Sequence, residues 1–155
     1  MITLLTRLKN AGGVNTAQLT SDAQTLLELL GYPDFDLGIL LTTNTTIARY
    51  NRDYRGKDKP TDVLSFSYHP TNRPGTKIRA KTPEDKNLGD LIMSPAYIKT
   101  DLGRWGKSFD ERMQELLVHG ICHLLGYDHE TDSEFRVMRR KELSLLRKLH
   151  KEIKS

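Results

Sequence analysis

Three of the five histidines in this 155-residue chain fall within the stretch VHGICHLLGYDH, residues 118–129. His119 and His123 are four positions apart, so on an α-helix both imidazoles project from one face. His129 follows beyond Gly126, a residue type that adopts the left-handed conformation in which helices end. The spacing therefore predicts that His119, His123 and His129 bind one metal ion and leave one coordination position open, as in catalytic zinc sites.

The identity of the metal and the reaction follow less directly from the spacing. Imidazole ligands favour one zinc ion, with nickel, copper and iron as alternatives. The three histidines and Gly126 also match the metzincin protease pattern H-E-x-x-H-x-x-G-x-x-H. Gly120, however, stands where those peptidases carry their general-base glutamate. A metalloprotease-like hydrolase is therefore the less favoured interpretation of the site.

Two further side chains lie close to the histidines in sequence. Cys122, the single cysteine, is expected to be a buried core thiol rather than a fourth ligand. Glu115 lies one turn before His119 and is either a hydrogen-bond partner of a ligand or an exposed carboxylate. With one cysteine no internal disulfide forms, which fits a reducing compartment.

Composition and charge indicate the class of protein and permit certain partners. The formal net charge is +4 and the sequence pI is about 9.2, which permits nucleic-acid binding without establishing it. No apolar run has the length of a membrane span. A basic cluster precedes the histidine motif, and its alternative interpretation is a solvated face. The cluster comprises Arg49, Arg52, Arg55, Lys57 and Lys59.

The histidines need a helix to position them, and the sequence predicts its start and end. SFDE (108–111) has the spacing of a capping box, and Gly126 is placed to end the helix. Hydrophobic periodicity predicts the other elements. The first half has a strand in the first ten residues, a helix at 20–30 capped by Thr20 or Ser21, a strand at 35–43 and a helix capped by Asn44. A strand at 61–68 and a strand at 88–94 follow, separated by a mobile surface loop at 69–87. The remaining elements are a helix starting at Ser94–Pro95 and a last helix after a second capping box at 131–134.

The order of these elements predicts an α+β (mixed α/β) fold. One small mixed sheet of about four strands is flanked by helices, one of which is a zincin-like metal helix. No internal repeat or interdomain linker is evident, so residues 1–155 are expected to form a single domain.

Three stretches resemble the YbeY endoribonuclease family, also called rRNA maturation factors. HGICHLLGYDH is similar to that family's H-G-x-x-H-L-x-G-[YF]-x-H signature. NRDYRGKDKPTDVLSF (51–66) is similar to its Y-R-x-x-x-x-P-T-[DN]-V-L-S-F block, and LGD (88–90) is a third match. One departure is Ser67, where the family commonly has proline after LSF.

The resemblance implies a metal-dependent, single-strand-specific endoribonuclease that matures the 3′ end of small-subunit rRNA and acts in ribosome quality control. It implies one metal bound by the three histidines, and it assigns the family's functional arginine to Arg55 and its strand aspartate to Asp90. Arg55, with the three histidines, is thus a candidate catalytic residue that clamps the scissile phosphate. The nucleophile stays open between activated water and the RNA 2′-hydroxyl. His69 is a possible general base, although a surface-loop histidine is the plainer interpretation.

The expected partners are single-stranded RNA, an rRNA precursor and the small ribosomal subunit, with no membrane and no DNA. The expected compartment is the cytoplasm, with an organelle such as the mitochondrion as the alternative. A ribosome-assembly factor that binds RNA and carries a structural metal is the second functional hypothesis.

Overall fold

A four-stranded mixed sheet forms the centre of the computed structural model, which describes residues 1–154, with the side chains of residues 1–152. Its strand order is β1-β2-β4-β3, with β1, β2 and β4 parallel and β3 antiparallel to β4. The strands are β1 (Ile2–Thr6), β2 (Asp36–Leu41), β3 (Val63–Ser67) and β4 (Asn87–Met93). The helices are α1 (Thr16–Leu30), α2 (Asn44–Arg55), α3 (Pro95–Thr100), α4 (Leu102–Trp105), α5 (Phe109–Leu124) and α6 (Asp132–Lys154), with 3-10 turns at Lys9–Gly13 and Pro83–Asp85.

The two faces of the sheet are covered unequally. Alternate side chains of β4 point to opposite faces, as the pleat of a strand requires. Leu91 belongs to the main core, which includes buried residues of α1, α5 and α6. Ile92 packs instead with Ile47 of α2 and Leu64 of β3 in a small second cluster. The predicted mixed sheet of four strands flanked by helices is confirmed, with α2 on the face opposite α1, α5 and α6.

Helix ends differ from the predicted positions where a nearer cap is available. α1 begins at Thr16, four residues before the prediction, because the Asn15 side chain accepts a hydrogen bond from Gln18 N. Thr43 rather than Asn44 caps α2, by accepting from Thr46 N (3.2 Å). Gly31 ends α1 in the left-handed conformation, as predicted.

The segment 69–87 is a long connection, as predicted, but part of it belongs to the core. Ile78 is buried, and its backbone N–H donates to the Tyr32 hydroxyl (2.9 Å). The expectation of a surface loop is therefore wrong for this part of the segment. Among the described residues, no helix has the length and apolar character needed to cross a membrane.

Candidate metal centre and the adjoining cavity

Helix α5 starts and ends where the sequence predicts. Ser108 Oγ accepts from Glu111 N (3.1 Å), and Ser108 N donates to Glu111 Oε1 (3.2 Å), which completes the capping box. At the other end, the N–H groups of Gly126 and Tyr127 donate to the carbonyls of His123 and Cys122. The chain leaves the helix there and turns towards His129.

Gly126 makes that turn possible for two reasons. Its φ of 104° lies in a region that other residue types rarely adopt. A Cβ atom at this position would also collide with the carbonyl oxygen of Asn72, in the connection that packs over the turn. Asn72 Nδ2 donates to Leu125 O (2.8 Å), which holds that connection in place. The turn therefore requires glycine.

The structure brings His119, His123 and His129 together. The ring centroids of His119 and His123 lie 4.6 Å apart, and those of His123 and His129 lie 5.0 Å apart. One nitrogen from each ring can be chosen so that all three lie within 4.8 Å of one another. Three converging imidazoles are a donor set that fits a zinc ion.

Hydrogen bonds orient two of the three rings. His119 Nδ1 lies 2.8 Å from Glu142 Oε2, and His123 Nδ1 lies 2.8 Å from the backbone oxygen of Tyr127. Both partners are acceptors, so in the neutral rings each Nδ1–H donates and Nε2 keeps its lone pair for another ligand. Histidines that bind metals are commonly held in this way, with the second nitrogen bonded to a carboxylate or a carbonyl.

The protonation state of His123 suits a metal ligand. Burial is the largest cause that lowers the pKa of His123 from 6.5 to about 4, and the neighbouring His119 contributes to the same shift. The ring is therefore neutral at physiological pH. Metal binding requires this form, because a protonated imidazole has no free lone pair.

Cys122 and Glu115 do not belong to the three-histidine group. Cys122 is fully buried, as predicted, and burial raises the pKa of its thiol to about 12. Glu115 pairs with Lys107 (3.4 Å) and Arg112 (3.3 Å), so neither of its two predicted interpretations describes it.

Gly120 lies where α5 packs against the sheet. A Cβ atom at this position would stand 2.8 Å from Leu91 Cδ2 of β4. On the same side of α5, the Ser65 hydroxyl of β3 donates to Gly120 O (3.2 Å), and the Ser67 hydroxyl donates to Leu124 O (2.9 Å). A glutamate at position 120 would point into this interface, and the Leu91 side chain would have to shift to accommodate it.

Glu142 is a member of the site that the sequence interpretation missed. It lies on α6, 23 residues from His119, and only 8% of its surface is exposed. A signal was present, because Glu142 shares a helical stripe with the buried Met138, Leu145 and Leu149. A carboxylate on such a stripe needs a buried partner.

Among the described residues, no hydrogen bond or ion pair joins the other candidate residues to the three histidines. Arg55 ends α2, is exposed, and donates to Asn51 Oδ1 at 3.5 Å. Asp90 is exposed on the face of the sheet that carries α2. His69 Nε2 bonds the backbone oxygen of Asp85 (2.8 Å) within the 69–87 connection.

A cavity of about 450 Å³ adjoins His119. Arg55 is not among the described residues that line it, but Asp62, at the end of the segment that follows Arg55, is one of them. Asp62 Oδ2 pairs with Arg112 of α5 (3.6 Å). The full lining is Asp62, Trp105, Lys107, Arg112, Glu115, Leu116, His119, Phe135, Arg139, Glu142 and Leu146.

Comparisons with known proteins identify related proteins over most of the chain. A family model described as endoribonuclease YbeY matches residues 7–150. The human endoribonuclease YbeY is 34% identical over 149 residues, covering 96% of this chain and 89% of the relative. The protein of the same name from Persephonella marina is 43% identical over 114 residues, covering 73% and 69%. The solution structure of TM1509 from Thermotoga maritima shares the fold, with a TM-score of 0.58 at 22% identity over 98% of this chain and 93% of that one.

The chain therefore belongs to the endoribonuclease YbeY family. Membership confirms the predicted class of enzyme, a metal-dependent endoribonuclease that processes rRNA, and hence an RNA substrate.

Proposed function

We propose that residues 1–155 form one zinc-dependent endoribonuclease domain that cleaves single-stranded regions of rRNA precursors at the 3′ end of the small-subunit RNA. The observation that supports this proposal best is the convergence of three imidazoles, one nitrogen from each lying within 4.8 Å of the others. Family membership supplies the reaction class. The glycine at position 120, where zinc peptidases of this spacing carry their general-base glutamate, argues against a peptidase.

In this proposal His119, His123 and His129 hold one zinc ion. A bound zinc ion supplies Lewis-acid stabilisation of negative charge on a phosphoryl oxygen. Glu142 and the Tyr127 carbonyl keep two of the rings oriented, with Nε2 directed away from these partners. The low pKa of His123 keeps that ring available as a ligand down to mildly acidic pH.

Arg55 contributes from the end of α2. Its planar guanidinium donates two parallel hydrogen bonds to phosphate oxygens and offsets the charge that builds up in the transition state. Buried Asn51 supports this region, because its Nδ2 donates to Lys59 O (2.9 Å) in the segment that follows Arg55. That segment leads to Asp62 at the cavity beside His119. In this proposal one RNA strand contacts both places.

Single-strand preference follows from the need to bring a phosphate close to His119 and His123, which are partly buried. The basic cluster around Arg55 attracts the RNA backbone through a salt-sensitive interaction. We expect the small ribosomal subunit to present the substrate, and we do not expect DNA to be cut. The cytoplasm is the proposed compartment, with an organelle as the alternative.

A cleavage assay on purified protein tests the proposal. The substrates are one oligoribonucleotide as a single strand, the same sequence in a duplex, and its DNA counterpart, each with zinc present. We expect the single-stranded RNA alone to be cut, and we expect His123→Ala and Arg55→Ala to lower the rate by about 100-fold or more. Arg55→Lys should recover little, since ammonium lacks the planar fork.

Arg7→Ala is the matched control, because it removes an exposed arginine outside the basic cluster. Equal cleavage by wild type, His123→Ala and Arg55→Ala would refute the catalytic assignment. Binding of small subunits without any cleavage would instead indicate an assembly factor with a structural metal.

A further inference from the structure

Two exposed aromatic rings line the cavity beside His119. Trp105 is the last residue of α4 and is 43% exposed, and Phe135 lies in the first turn of α6 and is 55% exposed. Large aromatic side chains of this kind are usually more deeply buried. Two of them at one cavity, next to a candidate catalytic histidine, indicate a surface for a flat ligand.

The indole of Trp105 is held in place before any ligand arrives. Its Nε1 donates to Asp101 Oδ2 (3.1 Å). The guanidinium of Arg112 lies 4.0 Å from the ring centroid, and Arg112 is itself fixed by Asp62 and Glu115. The guanidinium of Arg104 lies 5.3 Å from the ring, but this side chain is exposed and can give way to a ligand. A fixed ring loses little conformational entropy when a ligand stacks on it.

Three acidic and three basic side chains line the cavity, and four of these six are paired with one another. Glu142 is bonded to His119, and Asp62 and Glu115 are both paired with Arg112. By contrast, Arg139 forms no ion pair among the described residues. An anionic group on a ligand could therefore pair with Arg139 without breaking an existing ion pair.

We propose that this cavity binds one base of single-stranded RNA, stacked against Trp105 and Phe135, with Arg139 pairing with the adjacent phosphate. The volume of about 450 Å³ lies in the range typical of small-ligand sites. Base stacking on aromatic side chains tolerates any sequence but needs an unpaired base. The subsite therefore provides a reason for single-strand preference, and it rests on the proposed function because it assigns the substrate to the same site.

Trp105 is the chain's only tryptophan, so its fluorescence reports on the subsite directly. The probe is a 2′-O-methyl oligoribonucleotide, added to the zinc-loaded protein as a single strand and separately as a duplex. Fluorescence anisotropy of a labelled copy measures total binding in parallel, and a gel checks that the probe stays intact. We expect saturable quenching by the single strand, at the same concentrations as binding, and none by the duplex.

Substitutions then test the aromatic pair. Trp105→Ala and Phe135→Ala should each weaken single-strand binding by about tenfold, as expected for the loss of one stack. Val137→Ala is the matched control for Phe135, because Val137 is exposed on the same helix but does not line the cavity. Tyr68→Ala is the control for Trp105, since it removes an exposed aromatic ring elsewhere. Both control variants should bind like wild type.

The subsite and the proposed function fail in different ways. One outcome is that the wild type binds and cuts single-stranded RNA with no change in its tryptophan fluorescence, while Trp105→Ala binds the RNA as tightly as the wild type. In that case the subsite is wrong and the endoribonuclease proposal stands. Equal quenching by the duplex would also overturn the subsite, because a paired base cannot stack there. If the protein neither binds nor cuts single-stranded RNA, both proposals fall.

Discussion

At the residue scale, the hydrogen bond between Glu142 and His119 orients one of the three candidate metal ligands. A carboxylate at 2.8 Å from Nδ1 fixes the ring's orientation and raises the basicity of Nε2. The ring of His123 is oriented in the same way by the backbone carbonyl of Tyr127, which a side-chain substitution cannot remove. Glu142 is thus the place where the support of the ligands can be tested.

Replacing Glu142 with glutamine should weaken zinc binding by about tenfold, because the neutral amide is a poorer acceptor. Competition with a chelating dye measures the zinc affinity of the wild type and the variant. Glu134→Gln is the matched control, since it makes the same change at an exposed position of the same helix. Equal zinc affinity in wild type and Glu142→Gln would show that the contact does not support the ligand.

The three ligands could be predicted from the sequence, whereas Glu142 could not be assigned. His119 and His123 are related by helical periodicity, which is a local property. Glu142 meets His119 across a helix–helix contact between α5 and α6, which depends on tertiary packing. The contact of Asn51 could not be assigned from the sequence either, since its buried amide donates to the carbonyl of Lys59, eight residues away.

At the scale of elements, the turn after α5 decides whether the third histidine reaches the other two. Gly126 bends the chain, and the connection carrying Asn72 packs directly against it. β3 fixes the helix from the other side through the hydroxyls of Ser65 and Ser67. The metal centre therefore depends on a loop, a helix and a strand that must fit together.

Replacing Gly126 with alanine should lower the free energy of unfolding by about 3 kcal/mol, because it combines a strained φ with a collision at Asn72. Gly56→Ala is the matched control: Gly56 also has a positive φ, but a Cβ there would meet nothing within 4 Å. The control should cost about 1 kcal/mol. Urea denaturation of the metal-free proteins measures the free energy of unfolding of each variant. Equal decreases for Gly126→Ala and Gly56→Ala would contradict the account of the turn.

The sequence predicts most elements but not all of their boundaries. The capping box at Ser108 and the ending of α1 at Gly31 are encoded by adjacent residues and were predicted correctly. The start of α1 was wrong because Asn15, outside the apolar stripe, competes successfully as the cap. The burial of Ile78 was missed because its partner, Tyr32, is 46 residues away.

At the scale of the whole molecule, the sheet separates two surfaces. The histidines lie with α5 on the face that also packs α1 and α6, and α2 lies on the other. The segment from Arg55 to Asp62 joins them, ending at the cavity beside His119. The proposed path for RNA follows this connection. The strand order that creates it was not predictable, since hydrophobic patterns do not say which strands become neighbours.

Zinc reconstitution of the metal-free protein tests the central claim most directly. Zinc is added in steps, and bound metal and cleavage of single-stranded RNA are measured on the same samples, for the wild type and for His119→Ala. The account predicts that wild-type activity rises with bound zinc and levels off at about one equivalent, as for three histidines sharing one ion, while His119→Ala loses both binding and cleavage. Full cleavage by the metal-free wild type, or by His119→Ala, would contradict it.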